Sequence, residues 1–181
     1  MNKKNIQIFC VAWISILATL FTSCQSKVDS TEQWRRRNEK AFSDYENNSE
    51  YKKVTTDGSL PYVFVKWIKK GEGKEHPIET SRVVVHYAMY LLIPTSTKET
   101  PVDGNFDQEK GLRLSLNRGG TNKAITGVQI AMQNMVVGDH AEVIIPWYLA
   151  YGAKSTSGVP AYSALRYEVR LDEIIPEDVE E

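Results

Sequence analysis

The residues of this sequence that could do chemistry are aromatic side chains and a carboxylate rather than nucleophiles or metal ligands. The three histidines are far apart in the sequence and lack metal-ligand spacing to one another or to a cysteine. No serine lies in a Gly-x-Ser-x-Gly motif. The Gly-Glu-Gly-Lys segment at 71–74 has Ile68 and Glu75 where a phosphate-binding loop requires glycine and serine or threonine. We therefore expect any catalysis to be non-covalent, with no metal and no cofactor.

Two tyrosines and a Phe-Asp pair are candidates for such a non-covalent site. Tyr87 and Tyr167 each lie in a segment where polar and apolar residues alternate, so each is either a core aromatic or part of a pocket. Phe106 and Asp107 follow an Asp-Gly signal and are equally compatible with an ordinary turn that leads into a strand. The residue pattern alone leaves both interpretations open at these positions.

The segments around these residues predict a sheet and one late helix. Residues 165–171 alternate strictly between apolar and charged side chains, which is typical of a strand with one buried face. Residues 124–135 place Ile125, Val128 and Met132 on one face at helical spacing. Further strands are predicted at 62–67, 82–92, 112–116 and 141–145, and a first helix at 31–48. This order predicts an α+β fold in which an antiparallel sheet packs against one helix.

The length and charge of the chain limit its domain count and its partners. The 181 residues suffice for one ordinary domain with a leader or tail. The 22 lysines and arginines balance 23 aspartates and glutamates, so there is no electrostatic reason to expect nucleic acid as a partner. We expect the folded domain at 61–176 and an acidic tail at 177–181.

The first 23 residues differ in character from the rest of the chain. Lys3 and Lys4 precede a mostly apolar run at 6–21, which is typical of a signal peptide and short for a membrane-spanning helix. The segment Leu20-Phe21-Thr22-Ser23-Cys24 resembles the lipobox of bacterial lipoproteins, which usually has leucine at the position of Phe21. An ordinary cleaved signal that contains a cysteine is the alternative interpretation.

We expect Cys24 to be lipidated and to anchor the protein to a membrane. Residues 24–60 would then form a tether that contains the first helix, an N-terminal helical tether to the domain. Gln25 follows Cys24, whereas the better-known sorting rule links aspartate at that position with retention in the inner membrane. We therefore expect an outer-membrane location that faces the periplasm.

Six short motifs follow one another between residues 83 and 174. They are Val83-Val84-Val85-His86-Tyr87, Gly104-Asn105-Phe106-Asp107, Ala124-Ile125-Thr126-Gly127-Val128, Met135-Val136-Val137-Gly138, Ala150-Tyr151-Gly152-Ala153, and Val159-Pro160 with Leu165-Arg166-Tyr167-Glu168-Val169. Their order and spacing resemble the FK506-binding-protein (FKBP) family of peptidyl-prolyl cis-trans isomerases. The resemblance implies a curled antiparallel sheet wrapped around one helix, an aromatic-lined cleft between them, and proline-containing polypeptides as substrates.

The resemblance also implies roles for individual residues. The catalytic residues that it implies are Tyr87, Phe106, Asp107 and Tyr151. The substrate-binding residues that it implies are Leu112, Ala124, Ile125, Val128, Tyr162 and Tyr167.

Two positions depart from the family pattern. Val128 stands where the family usually has the tryptophan that forms the floor of the pocket, and Met89 stands where it has a small glycine. Loss of the large apolar floor favours weaker proline binding, by about 1.5–3 kcal/mol for a large side chain. FK506-like ligands are expected to bind poorly.

Three functions are compatible with this sequence. The first is a peptidyl-prolyl isomerase that assists the folding of exported proteins at the cell envelope. The second is a catalytically weak FKBP-like binding module or chaperone, which the Val128 substitution favours. The third is an accessory lipoprotein of a surface machine, similar to the FKBP-like lipoproteins associated with gliding motility in some Gram-negative bacteria.

Overall fold

The computed structural model describes residues 30–56, 58, 60–117 and 122–176. The expected signal peptide at 1–23, the lipidated Cys24 and the acidic tail at 177–181 lie outside the described residues. The described chain divides into two compact units, one up to Arg36 and one from Arg37 onward. Among the described residues, no helix is both long enough and apolar enough to cross a membrane.

The described residues form two α-helices and seven strands. Helix α1 covers residues 30–43 and is followed by a 3-10 turn at Asp44–Asn47. The strands are β1 (Lys52–Val54), β2 (Val63–Lys69), β3 (Arg82–Leu91), β4 (Asp103–Gly104), β5 (Leu112–Ser115), β6 (His140–Ile145) and β7 (Leu165–Ile175), and helix α2 (Thr126–Met132) precedes β6. The five predicted strands and both predicted helices are confirmed, with helix α2 shorter than expected, whereas β1 and β4 were not predicted.

All the named strands join one antiparallel sheet of order β1-β2-β6-β7-β3-β4, with β5 also paired to β3. Strand β3 is the organising strand because it pairs with β7 along all ten of its residues. On its other edge, β5 pairs with Arg82–Val85 and β4 with Ala88 and Met89. Successive side chains of a strand point to opposite faces, so β3 supplies one row of residues to each face of the sheet.

Helix α2 packs on one face of this sheet and encloses the main core. Val128, Ala131 and Met132 are buried against strand residues such as Val85 and Val169. Gly127 allows the close approach, because a Cβ at that position would lie 2.3 Å from Cγ2 of Ile145. The turn after the helix ends at Gly138 with a φ of +90°, a conformation that glycine adopts without strain. The expected α+β architecture, with the sheet wrapped against one helix, is therefore confirmed.

The segment from Arg37 to Val54 belongs to the same compact unit as the domain, although the sequence analysis assigned it to a tether. The ring of Phe42 of α1 packs at a tilt against Phe64 of β2 at a centroid distance of 4.9 Å, and both pack with Ile144. The buried Asn38 side chain accepts a hydrogen bond from the Ala164 N–H at 2.9 Å. These contacts cover the face of the sheet opposite α2. The amphipathic periodicity of α1 predicts that one face of the helix is buried, but it does not specify what that face packs against.

Gly127→Ala is expected to destabilise the fold, because the new methyl group would overlap Ile145 and push helix α2 away from β6. Overpacking of this kind costs about 1–3 kcal/mol. Urea denaturation would measure the loss, with Thr126→Ala, the half-buried neighbour on the same helix, as the matched control expected within about 0.5 kcal/mol of wild type. Equal stability of the two variants would contradict the close approach.

Candidate active site

A small pocket lies between the sheet and the N-terminal end of α2. Its cavity volume is about 120 Å³. Strands β3, β5 and β7 form its walls together with the start of α2, β4 and the loop after β6. The residues that line it are Val85, Tyr87, Asp103, Leu112, Leu114, Lys123, Ala124, Ile125, Val128, Tyr151, Tyr167 and Val169. The lining is mostly apolar and aromatic, with a few polar groups at its edge.

Strand alternation explains why these residues meet. On β3, Val85 and Tyr87 share the face that packs against α2, and on β7 Tyr167 and Val169 share it too. Tyr87 pairs with Val169 in the register, which brings its ring next to Tyr167. The two rings stack at a centroid distance of 5.8 Å and an angle of 21°. One side of the pocket is therefore an aromatic wall built by two neighbouring strands.

The Tyr87 hydroxyl donates a hydrogen bond to Oδ2 of Asp103 at 2.6 Å. Partial burial, with a further contribution from the hydrogen bond and charge of Asp103, raises the pKa of Tyr87 above its ordinary value. The hydroxyl therefore remains a donor at neutral and moderately alkaline pH. The bond fixes the ring of Tyr87 and places one carboxylate at the edge of the pocket.

The buried side chain of Asn105 holds the Asp103 segment against β3. Its Nδ2 donates to the Val85 carbonyl at 3.1 Å, and its Oδ1 accepts from the Tyr87 N–H at 2.7 Å. Its own backbone N–H donates to the Tyr87 carbonyl at 2.9 Å. Gly104 permits this approach, since a Cβ there would lie 2.7 Å from the Tyr87 carbonyl oxygen. Asn105 thus binds the edge of β3 between the segment of β3 that pairs with β5 and the segment that pairs with β4.

Both departures from the family pattern are buried in the core next to the pocket, and Val128 is the one of the two that lines it. Val128 lines the pocket and is buried, so the start of α2 contributes a small apolar side chain there. Met89 is buried in the same core, and its Sδ accepts a hydrogen bond from the Tyr167 hydroxyl at 3.0 Å. The Tyr151 hydroxyl lies 3.8 Å from the same sulfur. Two phenol hydroxyls therefore converge on one thioether beneath the aromatic wall.

The start of α2 offers a backbone donor to the pocket. Ile125 is the residue before the helix, in extended conformation with φ of −62° and ψ of 153°, and it lines the cavity. Its carbonyl accepts the N–H groups of Val128 and Gln129, while its own N–H donates to no acceptor among the described residues. Such a free N–H at a pocket edge can bind the carbonyl oxygen of a peptide.

Seven of the ten site residues implied by the sequence line this one pocket. They are Tyr87, Leu112, Ala124, Ile125, Val128, Tyr151 and Tyr167. Tyr162 does not line it; its ring packs edge-on against Trp147 at a centroid distance of 5.0 Å. Phe106 and Asp107 do not line it either.

Phe106 lies on the opposite face of β3 from Tyr87. Its ring centroid is 6.3 Å from that of His86 and 5.6 Å from that of His140. His86 is the strand neighbour of Tyr87, so its side chain points to the other face of the sheet. The turn closed by the Gln108 N–H to the Asn105 carbonyl carries Phe106 and Asp107, which line a separate open groove to which Tyr87 and Asp103 also contribute.

Asp103 is therefore the pocket carboxylate that sequence reasoning did not assign. The Phe-Asp pair at 106–107 matched the family motif by residue type, whereas the structure brings Asp103 to Tyr87. Asp103 pairs with Met89, two residues beyond Tyr87 on β3, so the Asp103 and Tyr87 side chains lie on the same face of the sheet. The two-residue strand β4 has no period that would have indicated this pairing in the sequence. In the described residues, no group of three or more His, Cys, Asp or Glu side chains is arranged to hold a metal ion.

Comparison with known families supports the resemblance drawn from the motifs. Residues 73–172 match the FKBP-type peptidyl-prolyl cis-trans isomerase family. The chain belongs to this family. Membership supports a peptidyl-prolyl isomerase function for the domain, and the matched range contains every residue that lines the pocket.

Individual relatives agree with the FKBP assignment. The chain is 29% identical over 179 residues to the macrophage infectivity potentiator of Trypanosoma cruzi, an alignment that covers 94% of this chain and 85% of that protein. It is 40% identical over 52 residues to human peptidyl-prolyl cis-trans isomerase FKBP10, covering 29% of this chain but 9% of the human protein. It thus spans a small part of the length of some relatives and most of the length of others.

Two solved structures share the fold. A peptidyl-prolyl cis-trans isomerase from Pseudomonas syringae superposes with a TM-score of 0.64 at 21% identity, covering 81% of this chain and 96% of that one. FkpA from Escherichia coli superposes with a TM-score of 0.66 at 22% identity, covering 97% of this chain and 74% of that one. At these identities the likeness establishes the FKBP-like fold.

Tyr167→Phe is expected to make the stability of the FKBP domain less sensitive to alkali. Burial, with the nearby Tyr151 hydroxyl as a further cause, raises the pKa of Tyr167 well above its ordinary value near 10. The unfolded chain therefore loses this proton as pH rises above about 10 while the folded chain keeps it, so the stabilising contribution present below pH 10 is lost above it.

Denaturant titrations between pH 7 and 11.5 would test this effect. The free energy of unfolding of wild type should fall more steeply above pH 10 than that of the variant, by about 1.4 kcal/mol per pH unit. The two curves should run parallel below pH 9, where the lost interactions of the Tyr167 hydroxyl with Met89 and Tyr151 separate them. Equal slopes above pH 10 would show that Tyr167 ionises in the folded protein.

Proposed function

We propose that the pocket binds the proline ring of an X-Pro segment and accelerates cis–trans rotation about the preceding peptide bond. The observation that carries this proposal is a ring-sized apolar cavity with polar groups at its edge. Its volume of about 120 Å³ compares with the engineered cavity of about 150 Å³ that holds one benzene molecule. Tyr87, Tyr167 and Val128 supply apolar contact, and the Ile125 N–H and Asp103 lie at the edge.

The chemistry requires no nucleophile. Rotation about an X-Pro bond crosses a barrier of about 18–20 kcal/mol because amide resonance must be lost. The twisted transition state has a less polar carbonyl group than the planar ground state. A pocket that excludes water and binds the twisted form more tightly than the planar form therefore lowers the barrier.

The chain's own residues would position the substrate for this step. The Ile125 N–H donates to a substrate carbonyl next to the proline and orients the ring in the cavity. The Tyr151 hydroxyl, which lines the same cavity, provides a second polar contact. Asp103 keeps the Tyr87 ring in place through the 2.6 Å hydrogen bond and so preserves the shape of the aromatic wall.

A weakly catalytic binding module is the second candidate function. Val128 offers less apolar surface to a proline ring than the tryptophan usual in the family, and Met89 occupies buried volume where the family has glycine. A protein of this kind would bind proline-containing chains and prevent their aggregation without measurable rotation.

Isomerisation of a short X-Pro peptide, followed by exchange NMR without a coupling protease, separates the two candidates. We expect acceleration by wild type and a roughly two- to tenfold lower kcat/KM for Asp103→Ala, because a hydrogen bond of about 0.5–1.5 kcal/mol to Tyr87 is lost. The matched variant Asp107→Ala, which changes a residue of the groove that does not line the pocket, should retain wild-type turnover.

Two outcomes would contradict the site assignment or the activity. A larger loss in Asp107→Ala than in Asp103→Ala would move the site to the outer groove. Peptide binding by a folded wild-type protein that shows no acceleration would leave the binding module as the function.

We further propose that the protein acts on exported polypeptides at the cell envelope, held there by a lipid on Cys24. The apolar leader and the lipobox-like segment that ends at Cys24 support this location. Acyl chains contribute about 0.8 kcal/mol per buried methylene, so several of them hold a protein on a bilayer. An outer-membrane position facing the periplasm, and service to a surface machine such as a gliding apparatus, are extensions of the same proposal.

Metabolic labelling with palmitate tests the anchor, because the sequence contains two cysteines and only one follows a lipobox-like segment. Wild type and Cys10→Ser should carry the label, and Cys24→Ser should not. Label on the Cys24→Ser protein, or no label on wild type, would contradict lipidation at Cys24.

A further inference from the structure

One cation stands at the edge of the pocket. Among the lining residues Lys123 carries the positive charge and Asp103 the negative charge. The Lys123 side chain is exposed and forms no ion pair with any of the described residues. Its charge is therefore available to a bound molecule.

The backbone around Lys123 is fixed beside β5. The Ser115 N–H donates to the Asn122 carbonyl at 3.2 Å, and the Ala124 N–H donates to the Ser115 carbonyl at 3.1 Å. The Gln129 side chain also donates to the Ala124 carbonyl at 2.7 Å. The Lys123 side chain therefore starts from a defined place on the pocket edge, two residues from the Ile125 N–H.

The sequence of this wall contains no acidic residue. Between Glu109 and Asp139 there is no Asp or Glu, although acidic and basic residues are balanced over the whole chain. The same stretch contains four basic residues, namely Lys110, Arg113, Arg118 and Lys123. Carboxylates are thus absent from the sequence that forms the β5–α2 side of the pocket, and a negative charge on a ligand meets no like charge from it.

The carboxylate of Asp103, on the other side of the pocket, already accepts a hydrogen bond within the protein. Asp103 accepts the Tyr87 hydroxyl at 2.6 Å, and no salt bridge joins it to Lys123 in the described part of the chain. A substrate carboxylate can therefore pair with Lys123 without displacing an internal partner.

We propose that the pocket prefers X-Pro segments with an acidic side chain next to the proline, and that Lys123 determines this preference. A peptide whose carbonyl accepts the Ile125 N–H passes along residues 123–125, so the side chain adjacent to its proline lies within reach of the flexible lysine ammonium. The inference rests on the proposed function of the same pocket. Lys123 acts on substrate choice and not on bond rotation itself.

Matched peptides test the preference. There are two sets, and the peptides of a set differ only in having Glu, Gln or Lys beside the proline. This residue is on the N-terminal side of the proline in one set and on the C-terminal side in the other. For each peptide, kcat/KM is measured by exchange NMR at low salt. In at least one set, wild type should prefer Glu over Lys by about two- to fivefold, the range expected for an exposed ion pair. Lys123→Glu should reverse this order, and 0.5 M NaCl should reduce it.

Lys52→Glu is the matched control, because Lys52 is an exposed lysine on β1, at the sheet edge remote from β3. It should keep the wild-type order. Equal kcat/KM values for Glu and Lys peptides in both sets, or a preference that Lys52→Glu alters as much as Lys123→Glu, would overturn the proposal.

The neutral Gln peptide separates failure of this inference from failure of the proposed function. Turnover of the Gln peptide without a charge preference would leave the isomerase proposal intact and reject the role of Lys123. Absence of turnover with every peptide would reject the isomerase proposal. The charge preference would then be tested by binding: tighter binding of the Glu peptide than of the Lys peptide would support the role of Lys123, and equal dissociation constants would reject it.

Discussion

The pairing of β3 with β7, which has one register shift between Val84 and Val85, is the constraint on which the rest of the domain depends. Ten residues, Arg82–Leu91, pair with β7, and β3 also holds β5 and β4 on its free edge. A shift of one residue in this register would turn Tyr87 away from α2 and bring His86 to the core. Because β7 carries Tyr167 in the same register, this pairing alone sets the aromatic wall of the pocket. The close packing of α2 at Gly127 then closes the cavity against that wall.

The strands and the late helix could be predicted because their periodicity reflects burial directly. Residues 165–171 alternate along β7, and the apolar residues Val128 and Met132 at helical spacing are buried, although α2 buries its intervening residues as well. The pairing of β1 with β2, and the packing of Phe42 on the far side of the sheet, were not predictable in this way. Three residues of strand and one aromatic side chain have no distinctive period, and their positions follow from long-range contacts.

Most of the residues that line the pocket were named from the sequence, but the carboxylate beside Tyr87 was not. Strand alternation and helical spacing predicted the elements that carry Tyr87, Tyr167 and Val128, whereas the family resemblance, not the pattern, assigned these residues to a pocket. The Phe-Asp pair at 106–107 has the residue types of the family motif, but the hydrogen bonds of Asn105 end β4 and turn the following residues to the outer face. Asp103 takes the place beside Tyr87 because of backbone geometry rather than residue type. Motif matching cannot distinguish two Asp residues four positions apart, whereas strand register does.

The core around the pocket combines a smaller residue than the family pattern at Val128 with a larger one at Met89. Both side chains are buried, Val128 lines the pocket, and the thioether of Met89 accepts a hydrogen bond from the Tyr167 hydroxyl. Volume can be redistributed between core positions at modest cost in stability. We therefore expect the substitution at Val128 to lower the affinity for proline while it leaves the fold intact.

Amide chemical-shift mapping with a short X-Pro peptide tests the central claim most directly, because it locates the bound proline without assuming catalysis. The account predicts that the largest shifts occur on the α2 face of the sheet, at Tyr87, Ile125 and Val128, with the Ile125 N–H moving downfield as it gains an acceptor. Shifts centred on His86, Phe106 and Asp107 would place the ligand on the opposite face and contradict the account.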